Sequence, residues 1–260
     1  MSDLEKYNAP ALDKGLDIIE TLAEAGESLT QGEIAKRLNR SVSEIFRMLV
    51  VLRRRGLIAL DETSDRYYLT TRLFELAHRI PIVKRLTVAA APVMQRLAVQ
   101  SNQSNHLAVR SADSIVIVGQ VDNPGNNVLS VRMGARIEIW RTSSGRVILA
   151  HSDPEQREKA IAAIPHPDEV PAKQLRTELD QIATQGYEQL HSLVVKGIEN
   201  ISAPILGFDG FAAAALTIPY MERLQGGVPI EDCLDMLLDA AESISVQLGG
   251  PARGPDLGRT

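Results

Sequence analysis

The chain has 260 residues, 44% of them hydrophobic, a formal net charge of −5 and a single cysteine, Cys233. This is enough length and apolar content for two domains with real cores, and the acidic balance excludes a general nucleic-acid coat. No apolar run approaches the ~20 residues needed to cross a bilayer, no charged-then-apolar leader precedes the first helical pattern, and one cysteine excludes a disulfide framework, so a cytoplasmic protein without membrane contact is expected.

The first eight residues are polar and read as disordered. Leu12, Leu16, Ile19 and Leu22 then recur at helical spacing over residues 11–25, with Pro10 placed for a helix start. Thr30 with Glu33 three residues on has capping-box spacing, and Ile34 and Leu38 share one face of the helix that follows. Asn39-Arg40 breaks that helix and Ser41 can cap the next, in which Val42, Ile45, Leu49 and Leu52 keep helical spacing and leave Ser43, Glu44 and Arg47 outward. After Gly56, residues 57–60, 61–65 and 66–69 read as strand, polar turn, strand. Helix, tight turn, helix and hairpin make a winged helix-turn-helix, whose second helix is shaped for a DNA major groove.

Local charge agrees. Residues 36–55 hold seven cations, Lys36, Arg37, Arg40, Arg47, Arg53, Arg54 and Arg55, against the one acid Glu44, a local net charge of +6. Cations along a narrow footprint are what phosphate contacts and counterion release require. Arg53-Arg54-Arg55 taken alone can equally be a solvated helix end favoured by the helix dipole; beside the helix-turn-helix and hairpin, DNA binding is the better reading.

Next, Leu73, Leu76, Ala77 and Ile80 sketch a short helix stopping before Pro81, and Val83, Leu86, Ala90, Val93 and Leu97 a longer one, which Pro92 splits into two pieces. From about Ser104 the period becomes strand-like: residues 106–109, 114–121, 128–132 and 136–140 read as strands separated by turn residues. A helix over 144–151, polar helices over 154–163 and 172–185, strands at 193–195, 201–206 and 211–218, and a last helix with Ile230, Leu234, Leu237, Leu238, Ala241, Ile244 and Leu248 on one stripe complete the chain. Cys233 in that helix reads as a packing residue. Antiparallel strands with packed helices describe an α+β sensor domain. The divisions expected are a DNA-binding domain at 9–71, linker helices at 72–101, an effector-binding domain at 102–250 and a flexible tail at 251–260.

Stretches throughout the chain resemble the IclR family of bacterial transcription regulators. They include residues 11–19 (ALDKGLDII), 41–49 (SVSEIFRML), 68–70 (YLT), 72–77 (RLFELA), 103–109 (QSNHLAV), 129–136 (LSVRMGAR), 142–146 (TSSGR), 197–204 (GIENISAP) and 213–219 (AAALTIP). The resemblance implies an N-terminal winged helix-turn-helix, a C-terminal effector-binding domain of GAF/PAS-like α/β architecture, and homodimers or dimers of dimers on pseudo-palindromic operators.

Under that resemblance Ser41, Ser43, Glu44 and Arg47 face base edges, with Arg47 suited to guanine or a phosphate and Glu44 to cytosine N4. A salt bridge from Glu44 to Arg47 is the alternative, and family members often carry a small hydroxyl residue in its place. Lys36, Arg37, Arg40 and the wing residue Arg66 are candidates for phosphate contacts. Glyoxylate-responsive members imply an effector at backbone amides matching Ser143 and Ser144, beside Gly145, with pocket positions Ile198, Asn200 and Thr217. Free N–H groups at a helix start favour an anion. This chain departs at Asn200, often cysteine in the family, at Pro219, a serine in glyoxylate-responsive members, and at Leu190, where those members carry an acid. The ligand implied is therefore a different small carboxylic acid, a sugar acid, 2-oxo acid or aromatic acid. Trp140 can line the pocket or be a buried structural residue, and Arg136 and Arg141 can neutralise a carboxylate or sit at the surface.

Nothing converges on catalysis. His78, His106, His151, His166 and His191 are scattered without metal-ligand spacing, Ser143-Ser144-Gly145 is no nucleophile elbow, and no phosphate-binding glycine loop occurs. The reading is a ligand-responsive regulator, a repressor of a catabolic operon, needing no cofactor or metal. An activator of the same family is one alternative; a small-molecule-binding or catalytic domain without specific DNA binding is another.

Overall fold

The computed structural model describes residues 9–77, 81–166, 168–193, 195–223 and 226–252. The chain divides into two units, with the boundary after Pro81. The expected disorder of residues 1–8, Ile80 and His78, and most of the expected tail lie outside the described residues.

In the first unit, α1 (Pro10–Ala25), α2 (Gln31–Arg37) and α3 (Val42–Arg54) pack on a sheet of β1 (Leu29–Thr30), β2 (Ile58–Asp61) and β3 (Arg66–Leu69), in the order β1-β3-β2. Both helices of the motif start with complete capping boxes, Thr30 with Glu33 and Ser41 with Glu44. Asn39, at φ 51, makes the turn between them, a left-handed conformation that asparagine tolerates. The core is Ile18, Leu22, Leu29, Ile34, Ala35, Ile45, Leu49, Leu52, Ile58 and Tyr67.

The apolar stripe of α1 differs from the expected one. Leu12 and Leu16 are 61% and 47% exposed, while Gly15, Ile18, Thr21 and Leu22 are buried. Both stripes have helical spacing, and only packing against the other helices selects between them. Val42 is likewise half-exposed, because it opens α3 ahead of the turns that reach the core. α4 (Arg72–Ala77) closes the described part of this unit.

α5 (Pro81–Ser101) is one continuous helix, not two pieces. Pro92 removes a single N–H, and the carbonyl it orphans belongs to Val88, a residue on the exposed side of the helix at 68% exposure. Leu86, Ala90, Val93, Met94 and Leu97 of α5 pack into a core of the second unit.

The second unit is an antiparallel sheet in the order β6-β5-β4-β9-β8-β7, formed by β4 (Asn105–Ser111), β5 (Ser114–Val121), β6 (Arg136–Glu138), β7 (Glu188–His191), β8 (Ile198–Leu206) and β9 (Ala212–Met221). α5 and α9 (Ile230–Gln247) cover one face through Leu107, Ile201, Ala203, Leu216 and Ile218. α6 (Ser143–Ala150), α7 (Pro154–Ala163) and α8 (Ala172–Gln185) cover the other through Ala108, Ile115, Ile117 and Ala215. Cys233 packs in the first of these cores, and burial pushes its thiol up to about 11, out of the reactive range.

Three expected strands are corrected. Residues 128–132 form no strand, since the Val131 N–H donates to the Gln120 side chain instead of a neighbouring strand. Residues 136–140 are strand only to Glu138 and then turn as a 3-10 helix over Ile139–Arg141, which lets consecutive Ile139 and Trp140 both be buried. The strand expected at 193–195 lies earlier, at β7; Leu193 and Val195 are exposed, and residue 194 is outside the described residues.

Candidate functional site

The sheet register assembles a row of polar side chains on the face beneath α6. Across β5, β4, β9, β8 and β7, neighbouring Cα partners are Gln120, His106, Thr217, Ser202 and Glu188. Thr217 Oγ1 lies 2.8 Å from Ser144 Oγ and 2.7 Å from Ser202 Oγ, and Ser202 donates to Ser143 Oγ at 2.7 Å. Buried hydroxyls thus bind the first turn of α6 to the middle of the sheet. At the edge of the row, Arg146 of α6 donates to Glu188 at 2.6 Å and to Glu178 of α8 at 3.0 Å, fixing the helix sideways.

A cavity of about 280 Å³ opens beside this row. Its floor is His106, Thr217, Ser143 and Ser144; its walls include Ile198, Asn200, Pro219 and Val195; the segment Leu129 to Arg132 and Arg141 form the opposite side. Arg132 and Arg141 are its cations, and none of the described lining residues carries a carboxylate. Arg141 donates to Glu138 at 2.6 Å, whereas the Arg132 guanidinium has no ion pair among the described residues.

Thr142 caps α6 by accepting from the Gly145 N–H at 3.0 Å, and the first two residues of the helix, Ser143 and Ser144, line the cavity. Burial alone holds His106 near a pKa of 4, so it is neutral at physiological pH. Its Nε2 is 3.5 Å from Ser144 Oγ and its Nδ1 has no partner among the described residues. The site therefore offers an anion a helix start and two guanidiniums, and offers a second polar group a neutral imidazole and the Asn200 amide.

Of the positions expected from sequence, Ser143, Ser144, Ile198, Asn200 and Thr217 line this one cavity. Gly145 and Trp140 do not. Gly145 lies where α6 presses on the Ile139 carbonyl and no Cβ has room. Trp140 turns into the core under α6, where its indole N–H donates to the Ile164 carbonyl at 3.0 Å and its ring tilts against His166. Arg136 binds Ser111, Ser114 and Asp113 away from the cavity, and Leu190 is the register partner of Asn200 but outside the lining. Sequence reasoning missed Arg132, inside the LSVRMGAR stretch, and His106, set aside as a scattered histidine.

In the first unit, α3 buries Ile45, Leu49 and Leu52 and presents its opposite side to solvent. Glu44 is consumed locally: Ser41 N–H and Oγ donate to Oε2, both at 2.9 Å, and Lys14 Nζ lies 3.3 Å from Oε1. These hydrogen bonds, more than the Lys14 charge, lower its pKa to about 2. Lys14, not Arg47, is thus its ion-pair partner. Ser43 is exposed, with Oγ 3.1 Å from Ser41 Oγ. Arg40 is tied to Asp17 at 2.9 Å, Arg66 to the Ser28 carbonyl at 3.0 Å and to Glu33 at 3.1 Å, and Arg37 loosely to Glu27 at 3.6 Å. Among the described residues Lys36, Arg47, Arg54 and Arg55 have no ion pair, so the free positive charge gathers on α3 and the end of α2.

Comparison with known proteins agrees with both halves. Residues 11–62 match the IclR helix-turn-helix domain and residues 77–246 the bacterial transcriptional regulator IclR C-terminal domain. The chain belongs to the IclR family. This IclR-family chain is 27% identical to the HTH-type transcriptional regulator KdgR of Escherichia coli K12 over 95% of its own length and 97% of the relative's. It is 22% identical to the repressor AllR of the same organism, over 93% and 91%. An IclR homologue from Microbacterium hydrocarbonoxydans complexed with 4-hydroxybenzoate superposes with a TM-score of 0.75 at 25% identity, over 92% of this chain and 98% of that one. The protein is an IclR-type DNA-binding transcription regulator with an effector-binding C-terminal domain, and no helix among its described residues is long and apolar enough to cross a membrane.

Proposed function

We propose that this regulator is a repressor of a catabolic operon, binds a pseudo-palindromic operator as a homodimer or dimer of dimers, and changes operator affinity when a small carboxylic acid occupies the cavity at α6. The observation carrying this reading is a cavity of about 280 Å³ with a helix start, two arginines and no carboxylate in its described lining. That volume sits at the lower edge of the ~300–1,000 Å³ usual for ligand pockets, which suits acids the size of a 2-oxo, sugar or single-ring aromatic acid. The repressor assignment follows the similarity to AllR, and the aromatic option the similarity to the 4-hydroxybenzoate complex. Division of labour follows the expected boundaries: 9–71 reads DNA and 102–250 holds the effector.

The cavity binds its ligand without turnover. The serine–histidine approach in this cavity, Ser144 to His106, lacks a third group to orient the imidazole, since Nδ1 has no partner among the described residues. A base held near pKa 4 does not retain a proton drawn from serine at neutral pH.

Effector action is differential affinity, with the acid favouring the conformation that binds DNA less well. The test is a gel shift at controlled salt on the DNA upstream of the regulator's own gene, with and without a panel of carboxylic acids. A specific shift released by one acid is expected. No specific shift at any salt refutes DNA regulation, and a specific shift indifferent to all acids refutes the effector class.

A further inference from the structure

We infer that Phe46 and Val50 on the outward face of α3 read the 5-methyl groups of thymine in the operator, an inference that rests on the DNA-binding reading above. Ser43, Phe46, Arg47 and Val50 stand at i, i+3, i+4 and i+7, one face of a helix, opposite the buried stripe of Ile45, Leu49 and Leu52. Phe46 is 51% and Val50 50% exposed.

A single exposed apolar side chain needs no explanation. Two on the solvent face of a reading helix, one of them a phenylalanine, lie where the helix meets base edges. The acid on the same helix is unavailable, because Ser41 and Lys14 occupy both Glu44 oxygens. What remains on this face is Ser43, Arg47, Arg54 and the two apolar side chains Phe46 and Val50, with the exposed Val42 and Val51 on its flanks. The thymine methyl is the apolar group displayed on the major-groove edge, and apolar side chains are its natural contacts. The unpaired charges of Lys36, Arg47, Arg54 and Arg55 around this face select a polyanion as the occupant rather than an apolar protein surface.

The spacing makes the inference sharper. Phe46 and Val50 are separated by ~6 Å of helix rise, and bases on one strand follow at ~3.4 Å. With α3 along the groove, the two thymines in a half-site lie about two base pairs apart.

The experiment uses the full-length protein and a duplex enriched by it from a random library, in which each thymine in turn is replaced by deoxyuracil, which lacks only the methyl. Wild-type affinity is expected to fall about fourfold at each of two positions per half-site, the factor equivalent to ~0.8 kcal/mol for one buried carbon group. Phe46→Ala is expected to bind the thymine and uracil duplexes equally at one position and Val50→Ala at the other, while Arg47→Ala weakens both duplexes and keeps their ratio. Uracil tolerated at every position by a wild-type protein that still binds its selected sequence overturns this inference alone. So does unchanged thymine–uracil discrimination in both alanine variants. Failure to enrich any sequence overturns the DNA-binding reading together with it.

Discussion

Thr217→Val removes one hydroxyl from the middle of the polar row and leaves the shape of the side chain intact. Thr217 is 1% exposed, and its oxygen is shared between Ser144 at 2.8 Å and Ser202 at 2.7 Å. Two hydrogen bonds at ~0.5–1.5 kcal/mol each give a loss of about 1–3 kcal/mol. The burden is uneven: Ser202 keeps Ser143 at 2.7 Å, whereas Ser144 keeps only His106 at 3.5 Å. We therefore expect about 2 kcal/mol, a fall in melting temperature of ~4–8 °C for a unit of this size. Thr217→Ser keeps both hydrogen bonds and loses a methyl, at ~0.8 kcal/mol. Urea unfolding followed by tryptophan fluorescence isolates the right unit, since Trp140 is the only tryptophan and is buried in the second unit's core. The valine variant should lose more stability than the serine variant, and more of its acid affinity, because Ser144 at the α6 start is no longer held. A valine variant that loses under ~0.5 kcal/mol while serine loses more would show that Thr217 only fills space, and would refute the hydroxyl row as the support of the site.

Three further outcomes follow from named contacts. Arg146→Met strands Glu188, 7% exposed and partnered by Arg146 at 2.6 Å, and should cost about 3–5 kcal/mol at pH 8. Burial already pushes the Glu188 pKa above the usual carboxylate range, so the folded variant takes up a proton before the unfolded chain does. Its Trp140-monitored stability, relative to wild type, should accordingly recover as pH falls from 8 toward 5, and an equal loss at both pH values would contradict the ion-pair account. Ser41→Ala removes the α3 cap and should cost ~1 kcal/mol, read as faster amide exchange in α3 with unchanged exchange in α9. Hydrogen bonds hold Glu44 and Asp61 at pKa values of about 2, so their contribution is complete above pH ~4.5 and is lost as pH falls toward 2. Acid titration should loosen α3 and the wing turn across that window, and protection there that stays flat down to pH 2 would show that these bonds do not persist in solution.

The parts of the fold that were legible in sequence are those whose causes lie within a few residues of one another. Thr30 with Glu33 and Ser41 with Glu44 close capping boxes over three residues, and both appear in the structure as the spacing requires. Helices at 154–163 and 172–185 likewise follow from their own pattern. The misreadings arise where a local pattern admits two answers. Leu12 and Leu16 satisfy helical spacing as well as Gly15 and Ile18 do, and only the reach of α2 and α3 decides which stripe is buried. Pro92 argues for a break only if its orphaned carbonyl is buried, and the exposure of Val88 is a tertiary fact. Residues 128–132 read as a strand, yet beside β5 the Val131 N–H goes to the Gln120 side chain and no strand forms.

The candidate site was less legible for a stronger reason, which is that its chemistry lies in register. Thr217 is the lone polar residue in Ala-Leu-Thr-Ile-Pro and Ser202 the lone one in Ile-Ser-Ala-Pro, and each in isolation is a hydroxyl in a strand. A shift of one residue in the β8–β9 pairing would turn Ser202 away from Thr217 and open the row. His106 joins the row only because β4 pairs with β9, more than a hundred residues downstream in the chain. The family resemblance supplied Ser143, Ser144, Asn200 and Thr217 as single positions; His106 and Arg132 stand inside two of its stretches, QSNHLAV and LSVRMGAR, but received no role there because their contribution comes from burial and cavity shape. The same logic sorts the cations of the first unit. Composition finds Arg40, Arg47 and Arg66 alike, but Asp17 and Ser28, distant in sequence, engage Arg40 and Arg66, whereas Arg47 has no ion pair among the described residues.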